Sequence, residues 1–257
     1  MRALVTGAGR RLGRAMALEL ARQGYDVAVH YAASLDGAEQ TAREIRGLGR
    51  HAEVLKADLL DEAQAQALLP RAAAALEGPI TCLVNNASVF EYDRLQTATR
   101  DSWDRHLNSN LRAPFVLLQA MAAQDVSQTE TDAEPCAWGL AVNMIDQRVR
   151  KLTPEFMTYT LAKSALWTLT QTAAQALAPQ IRVNAIGPGP TLQGPRQNPE
   201  QFSRQRQATI LQRGADADDI TGALTYLLKA KAVTGQMICV DGGQHLGWQT
   251  PDADGLE

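Results

Sequence analysis

Short apolar runs recur along the chain, each followed by a stretch rich in alanine and leucine whose apolar positions repeat at helical spacing. Ala3–Thr6, Asp26–Tyr31, Ala52–Lys56, Cys82–Asn85, Gly139–Met144, Arg182–Ala185 and Met237–Val240 read as strands. Gly13–Gln23, Asp36–Leu48, Ala63–Leu76 and Phe156–Leu177 read as helices. Alternation of this kind predicts an α/β fold, a single doubly wound parallel sheet of about seven strands with helices on both faces. Ligands of such sheets bind at the carboxyl ends of the strands, near the point where the strand order reverses.

Two segments break the rhythm. Gln124–Pro135 is polar and reads as an exposed loop. Pro188–Pro199 is rich in proline and glycine and precedes the last strand–helix unit, a place suited to a substrate lid; the alternative is a plain surface excursion. The expected layout is one domain over residues 1–246, with a lid around 188–212 and a C-terminal tail over 247–257. In that tail Trp248 is a candidate apolar anchor.

With 257 residues, 45% of them hydrophobic and 21% charged, the chain has room for one large core. The net charge of −3 argues against a broad nucleic-acid surface. No apolar run is long enough to cross a bilayer, and Met1–Thr6 enters a strand at once without a signal-peptide layout. Cys82, Cys136 and Cys239 lack metal-ligand spacing, and Cys82 and Cys239 read as small core residues. An odd cysteine count suits a reducing cytoplasm. His51, His106 and His245 show no metal spacing, so no catalytic metal is expected.

The candidate chemistry lies in Asn143-Met-Ile-Asp146 and in Tyr159-Thr-Leu-Ala-Lys163. Four residues apart on a helix, Tyr159 and Lys163 share one face. An ammonium beside a phenol favours the phenolate, so Tyr159 is expected to be a general acid/base with a lowered pKa. Asp146 would add a carboxyl group. The alternative is an exposed helix with a solvated lysine.

The first strand runs into Thr6-Gly-Ala-Gly-Arg-Arg-Leu-Gly13 and then a helix. Glycines there let a backbone approach a pyrophosphate, and a helix N-terminus favours its charge. This turn appears in order with Asn85-Asn-Ala87, Tyr159-x-x-x-Lys163, Pro188-Gly189 and a closing Thr234-Gly-Gln…Val240-Asp-Gly-Gly243. The set resembles the short-chain dehydrogenase/reductase family over nearly the whole chain. The resemblance implies a Rossmann fold, a nicotinamide cofactor, a small-molecule substrate and a homotetramer or homodimer. It implies that Gly7, Arg10, Arg11, Leu12 and Gly13 cradle the cofactor and that Asn85, Asn86, Ala87 and Ser88 line its channel. Asp58 and Leu59 would meet the adenine, His30 would lie at the same end, and Pro188, Gly189 and Thr191 would flank the nicotinamide. Asn110 would support a proton-relay water near Lys163.

After the second strand the chain reads His30-Tyr-Ala-Ala-Ser34, with no acid to bind ribose hydroxyls. Arg10 and Ser34 suit the extra phosphate of NADPH/NADP+ instead. The alternative is that Arg10 is only a solvated surface charge.

Three departures point further. Asp146 stands where most of the family has serine, Arg11 where it has glycine, and Ser88 where it has the last glycine of Asn-Asn-Ala-Gly. Together with Phe90 they resemble the pteridine reductase and dihydromonapterin reductase subgroup. That resemblance implies stacking of a flat ring on Phe90, with Arg11 and Ser88 on its polar edge. Tyr159 would act as proton donor beside the cofactor, oriented by Asp146, and Lys163 would hold the nicotinamide ribose and lower the tyrosine's pKa. A reductase of ketones or 3-oxoacyl thioesters is one alternative, and a non-catalytic NADP-binding sensor is another.

Overall fold

The computed structural model describes residues 1–126, 135–194 and 196–248. Seven parallel strands form one sheet: β1 (Arg2–Val5), β2 (Asp26–Tyr31), β3 (Ala52–Lys56), β4 (Cys82–Asn85), β5 (Gly139–Met144), β6 (Ile181–Pro188) and β7 (Met237–Val240). Their spatial order is β3-β2-β1-β4-β5-β6-β7. The order reverses between β1 and β4, so the loops after these two strands diverge and open a crevice at their carboxyl ends. Strand β6 is longer than its apolar run suggests, because Ile186, Gly187 and Pro188 continue the pairing with β7.

The helices are α1 (Arg11–Arg22), α2 (Leu35–Gly47), α3 (Glu62–Ala75), α4 (Arg100–Leu107), α5 (Ala113–Ala122), α6 (Met157–Ala176), α7 (Pro199–Gln207) and α8 (Ala217–Lys229). A π-helical turn, Asn108–Arg112, joins α4 to α5. Most starts are legible locally. Asp61 caps α3 through Ala63 N and Gln64 N, and capping boxes open α4, α7 and α8. Helix α7 lies inside the segment expected as a lid, opened by Asn198 and Pro199.

Two apolar layers sandwich the sheet. Met16, Leu20, Ile45, Ile220 and Leu224 of α1, α2 and α8 fill one, and Leu68, Leu69, Leu117 and Met121 of α3 and α5 fill the other. Strand β5 is buried throughout because it lies between β4 and β6 under helices on both faces. Cys82 is fully buried and Cys239 half-buried. Leu166, Leu169 and Leu177 all pack against the domain's own core. They leave Leu161 as the exposed large apolar residue of α6. Most of Gln124–Pro135 and of the tail lies outside the described residues, and Trp248 is exposed. Among the described residues, no helix is long and apolar enough to cross a membrane.

Candidate active site

A cavity of about 1110 Å³ opens at the carboxyl ends of the strands. Its floor is the turn after β1, where Gly7, Arg10, Arg11, Leu12 and Gly13 all face it. Gly7 has a left-handed backbone (φ +64), and a Cβ on Gly13 would lie 2.2 Å from the Gly7 carbonyl oxygen. Side chains are therefore shut out, and the backbone stays open to a ligand. Helix α1 starts here with no acid in its first turn, so its positive end remains free for an anion. Ser34, with Tyr31, Ala32 and Ala33, forms the wall after β2. No carboxylate stands in that stretch, while Arg10 faces the same cavity. The cradle fits a dinucleotide carrying an additional phosphate.

His30 is expected at the cofactor, but it lies behind the turn. It is 1% exposed, its Nδ1 accepts from Gly7 N at 3.0 Å, and its Nε2 lies 3.1 Å from the Ala57 carbonyl. With Nδ1 accepting, Nε2 must carry the proton and donate to Ala57. Burial pushes its pKa down to about 4, so the ring is neutral and holds the glycine turn in shape. Asp58 and Leu59 also stand outside the cavity lining. Asp58 Oδ1 is turned to Leu60 N, at the start of the connection to α3. Asn85 points under the sheet end, where its Nδ2 donates to Asn143 Oδ1 at 2.9 Å, so the channel wall comes from Asn86, Ala87 and Ser88. Asn86 Nδ2 donates to Thr6 O at 2.8 Å and ties the β4 loop to the glycine turn.

At the other end of the cavity stand Ser88, Phe90 and Asp146. Tyr159 and Lys163 lie just behind them on α6, 6% and 3% exposed. The Tyr159 hydroxyl donates to Asp146 Oδ2 at 3.0 Å, and Arg148 N donates to Asp146 Oδ1 at 2.8 Å. Burial raises the Asp146 pKa, opposed by Arg148, Tyr159 and Lys163. The expectation of a lowered tyrosine pKa is overturned. Burial and then the Asp146 charge raise it well above the ordinary value, and the Lys163 ammonium lies 5.7 Å from the ring centroid without a bond to the hydroxyl. Lys163 Nζ donates instead to Met144 O at 2.7 Å, and burial lowers its pKa to about 8. Near neutral pH the site therefore presents a protonated phenol, poised to give a proton rather than to take one.

Asn110 sits in the π-helical turn, fully buried. Its side chain clamps Val89, accepting from Val89 N at 2.9 Å and donating to Val89 O at 2.8 Å. That bond pair fixes the loop that presents Ser88 and Phe90. Such local widening of a helix frequently marks functional sites.

Arg11 also has a left-handed backbone (φ +53), which explains why glycine suits that position. Its guanidinium reaches the loop after β6, donating to Gln193 O at 2.7 Å and Leu192 O at 2.9 Å. Pro188, Gly189 and Thr191 line the cavity below it. The aromatic wall holds a residue that the strand-and-motif reading missed. Phe156 stacks on Phe90 with centroids 4.4 Å apart and planes 12° off parallel. Tyr159 meets the Phe90 ring in a T shape at 4.6 Å. Arg196 lies 5.1 Å from the Phe90 centroid and 5.7 Å from that of Phe156, so it sits beside the stack and not across it. The left-handed Phe156 carried no sequence signal, being bulky and just outside a helix.

The family described as enoyl-(acyl carrier protein) reductase, a branch of the short-chain dehydrogenases, matches residues 7–245. The chain belongs to the short-chain dehydrogenase/reductase family. Among solved structures of such oxidoreductases it is similar to the FolM alternative dihydrofolate reductase 1 from Brucella suis in complex with NADP. The two are 46% identical with a TM-score of 0.89, over 98% of this chain and 97% of that one. Pteridine reductase 1 of Leishmania tarentolae is 32% identical over 95% of this chain and 96% of its own length. A 3-oxoacyl-[acyl-carrier-protein] reductase, FabG of Staphylococcus epidermidis, is 30% identical over 95% and 98%.

Proposed function

We propose that the chain is an NADPH-dependent reductase of a C=N bond in a dihydropterin or dihydrofolate-like substrate. The observation that carries this reading is the buried Tyr159–Asp146 hydrogen bond at 3.0 Å, set against the Phe90 ring at the cavity wall. Phe156 takes one face of Phe90, and a flat heteroaromatic ring would extend this stack from a side that Phe156 leaves open. Ser88 and Asp146 offer polar partners for its edge. When bound, NADPH would supply the hydride. Gly7, Gly13 and the start of α1 would hold its pyrophosphate, and Arg10 and Ser34 its extra phosphate. Tyr159 would deliver a proton to the ring nitrogen, with Asp146 orienting its hydroxyl. The similarity to a protein crystallised with NADP under a dihydrofolate reductase name supports the reading, as does the pteridine reductase relative.

A second reading has its own support. The raised pKa of Asp146 would let a protonated carboxyl polarise a carbonyl, as reduction of a ketone or 3-oxoacyl thioester needs. Self-association belongs to the same proposal. Trp103, Phe115 and Leu161 expose large apolar groups on α4, α5 and α6. A monomer mass by sedimentation would remove it.

The deciding experiment follows NADPH oxidation with dihydromonapterin, dihydrobiopterin and dihydrofolate beside ketones and 3-oxoacyl thioesters. Turnover confined to the pterins supports the first reading; turnover confined to carbonyls replaces it with the second. Tighter binding of NADH than NADPH would overturn the cofactor assignment.

A further inference from the structure

Helix α6 carries Tyr159 and Lys163 yet supplies no cap of its own. Its N-cap residue, Phe156, is left-handed and makes no side-chain capping bond, and the first turn holds no acid. The free N–H groups at such an end need acceptors. They find them on Asp93, in the segment that follows β4. The Asp93 carbonyl accepts from Phe156 N at 2.8 Å and Met157 N at 3.4 Å. Its carboxylate accepts from Thr158 N at 3.2 Å on Oδ1 and from the Thr158 hydroxyl on Oδ2. The Ser102 hydroxyl of α4 adds a bond to Oδ2 at 3.2 Å.

The chain of bonds continues to His106 of α4. Its Nδ1 lies 2.7 Å from Thr158 Oγ1, and its Nε2 accepts from Glu91 N at 3.1 Å. The threonine proton is committed to Asp93 and Nε2 is an acceptor. Nδ1 must therefore carry the ring's proton, and the bonds run in one direction from His106 through Thr158 to Asp93. Burial lowers the His106 pKa, in keeping with a neutral ring. Asp93, Thr158 and His106 are 2%, 1% and 0% exposed, so no water competes for these bonds.

The network joins two halves of the site. Asp93 and Glu91 follow Phe90 in the chain, and Thr158 directly precedes Tyr159. The His106 and Tyr159 rings meet in a T shape at 6.0 Å. We infer that Asp93, acting through Thr158 and His106, is a positioning residue that holds Tyr159 in register with Phe90. The inference rests on Tyr159 being the proton donor. A carboxylate reaching in from another segment fixes the axial position of the helix start. A displacement of that start would carry the phenol away from a ring lying on Phe90.

The test compares Thr158→Val, which keeps the shape and removes the hydroxyl, with Thr158→Ser, which keeps the hydroxyl, and adds Asp93→Asn. All are assayed well below their melting temperatures. The readouts are kcat, KM, the Kd for NADPH and the isotope effect with NADPH deuterated at the transferred position. Thr158→Val and Asp93→Asn are expected to lower kcat about tenfold and to raise the isotope effect. NADPH Kd should stay within about twofold, and Thr158→Ser should stay near the wild type. Unchanged kcat and isotope effect in folded Thr158→Val would overturn the inference, whatever its melting temperature. If Asp93→Asn does not fold, the threonine pair alone decides. Wild-type turnover of dihydropterins is measured first. Its absence removes the substrate reading, and the same variants are then assayed on the carbonyl compound that the wild type reduces.

Discussion

The Tyr159 hydroxyl donates to Asp146 Oδ2 across 3.0 Å, in a place where both side chains are shielded from water. The bond joins the helix that follows β5 to the end of β5 itself, and it aims the phenol at the cavity wall. Asp146 accepts the phenolic proton, and negative charge on its carboxyl opposes ionisation of the phenol.

Removing that acceptor should slow chemistry more than it weakens binding. Asp146→Ala is expected to lower kcat by about a hundredfold, within the usual range for a lost acid/base partner. NADPH affinity should change little. The pH profile checks the sign. Asp146 has a raised pKa, so its carboxylate is present above that value and is lost as pH falls through it. The wild type should show an acid-side limb in kcat that Asp146→Asn lacks.

Lys163 is held as a buried cation at a cost to the fold. Its pKa falls from 10.5 to about 8, so the folded state binds this proton less tightly than the unfolded chain. The destabilisation is full below pH 8 and fades as pH rises toward 10.5. Lys163→Met should therefore raise stability at pH 7 by about 1–3 kcal/mol, the surplus left after losing the Met144 bond. Denaturant unfolding of the two proteins measures it.

His30 makes the cofactor turn sensitive to acid. Its folded pKa of about 4 lies below the ordinary 6.5, so the unfolded chain binds the extra proton across that window. Stability should fall as pH drops from 6.5 toward 4, by about 3 kcal/mol in all. His30→Leu should be less stable at pH 7, since Gly7 N loses its acceptor, and should show a shallower acid slope. Thermal unfolding at several pH values separates the two effects.

Arg11 joins the glycine turn to the loop after β6 through the Leu192 and Gln193 carbonyls. Arg11→Gly relieves a left-handed backbone worth about 1 kcal/mol and removes two exposed hydrogen bonds of similar total worth. Stability should hardly move, while cleavage within residues 190–198 by a nonspecific protease should quicken. Resistance equal to the wild type would mean that this loop is held without Arg11.

The strands, the glycine turn and the order of the motifs were legible in the chain, because each depends on neighbours within a few residues. Alternation of apolar runs with helical stripes sufficed for a parallel sheet with a reversal in its strand order, while the place of that reversal, between β1 and β4, came from the folded chain. Tyr159 and Lys163 were legible as a pair through helical spacing, and Asp146 through its place in the same order of motifs.

What the chain alone did not determine was the state of those groups. The expected lowering of the tyrosine pKa used one neighbour, Lys163, whereas the folded site adds burial and Asp146, and these prevail. His30, Asp58 and Asn85 carry the right types for ligand contacts, yet tertiary packing turns them toward Gly7, Leu60 and Asn143. Phe156 and Asp93 gave no local signal, because their partners lie about 65 residues away in the chain. Local sequence determines which backbone conformations are cheap. Charge state and side-chain aim depend on solvent exclusion and on groups brought together only when the chain closes, so tertiary structure alone decides them.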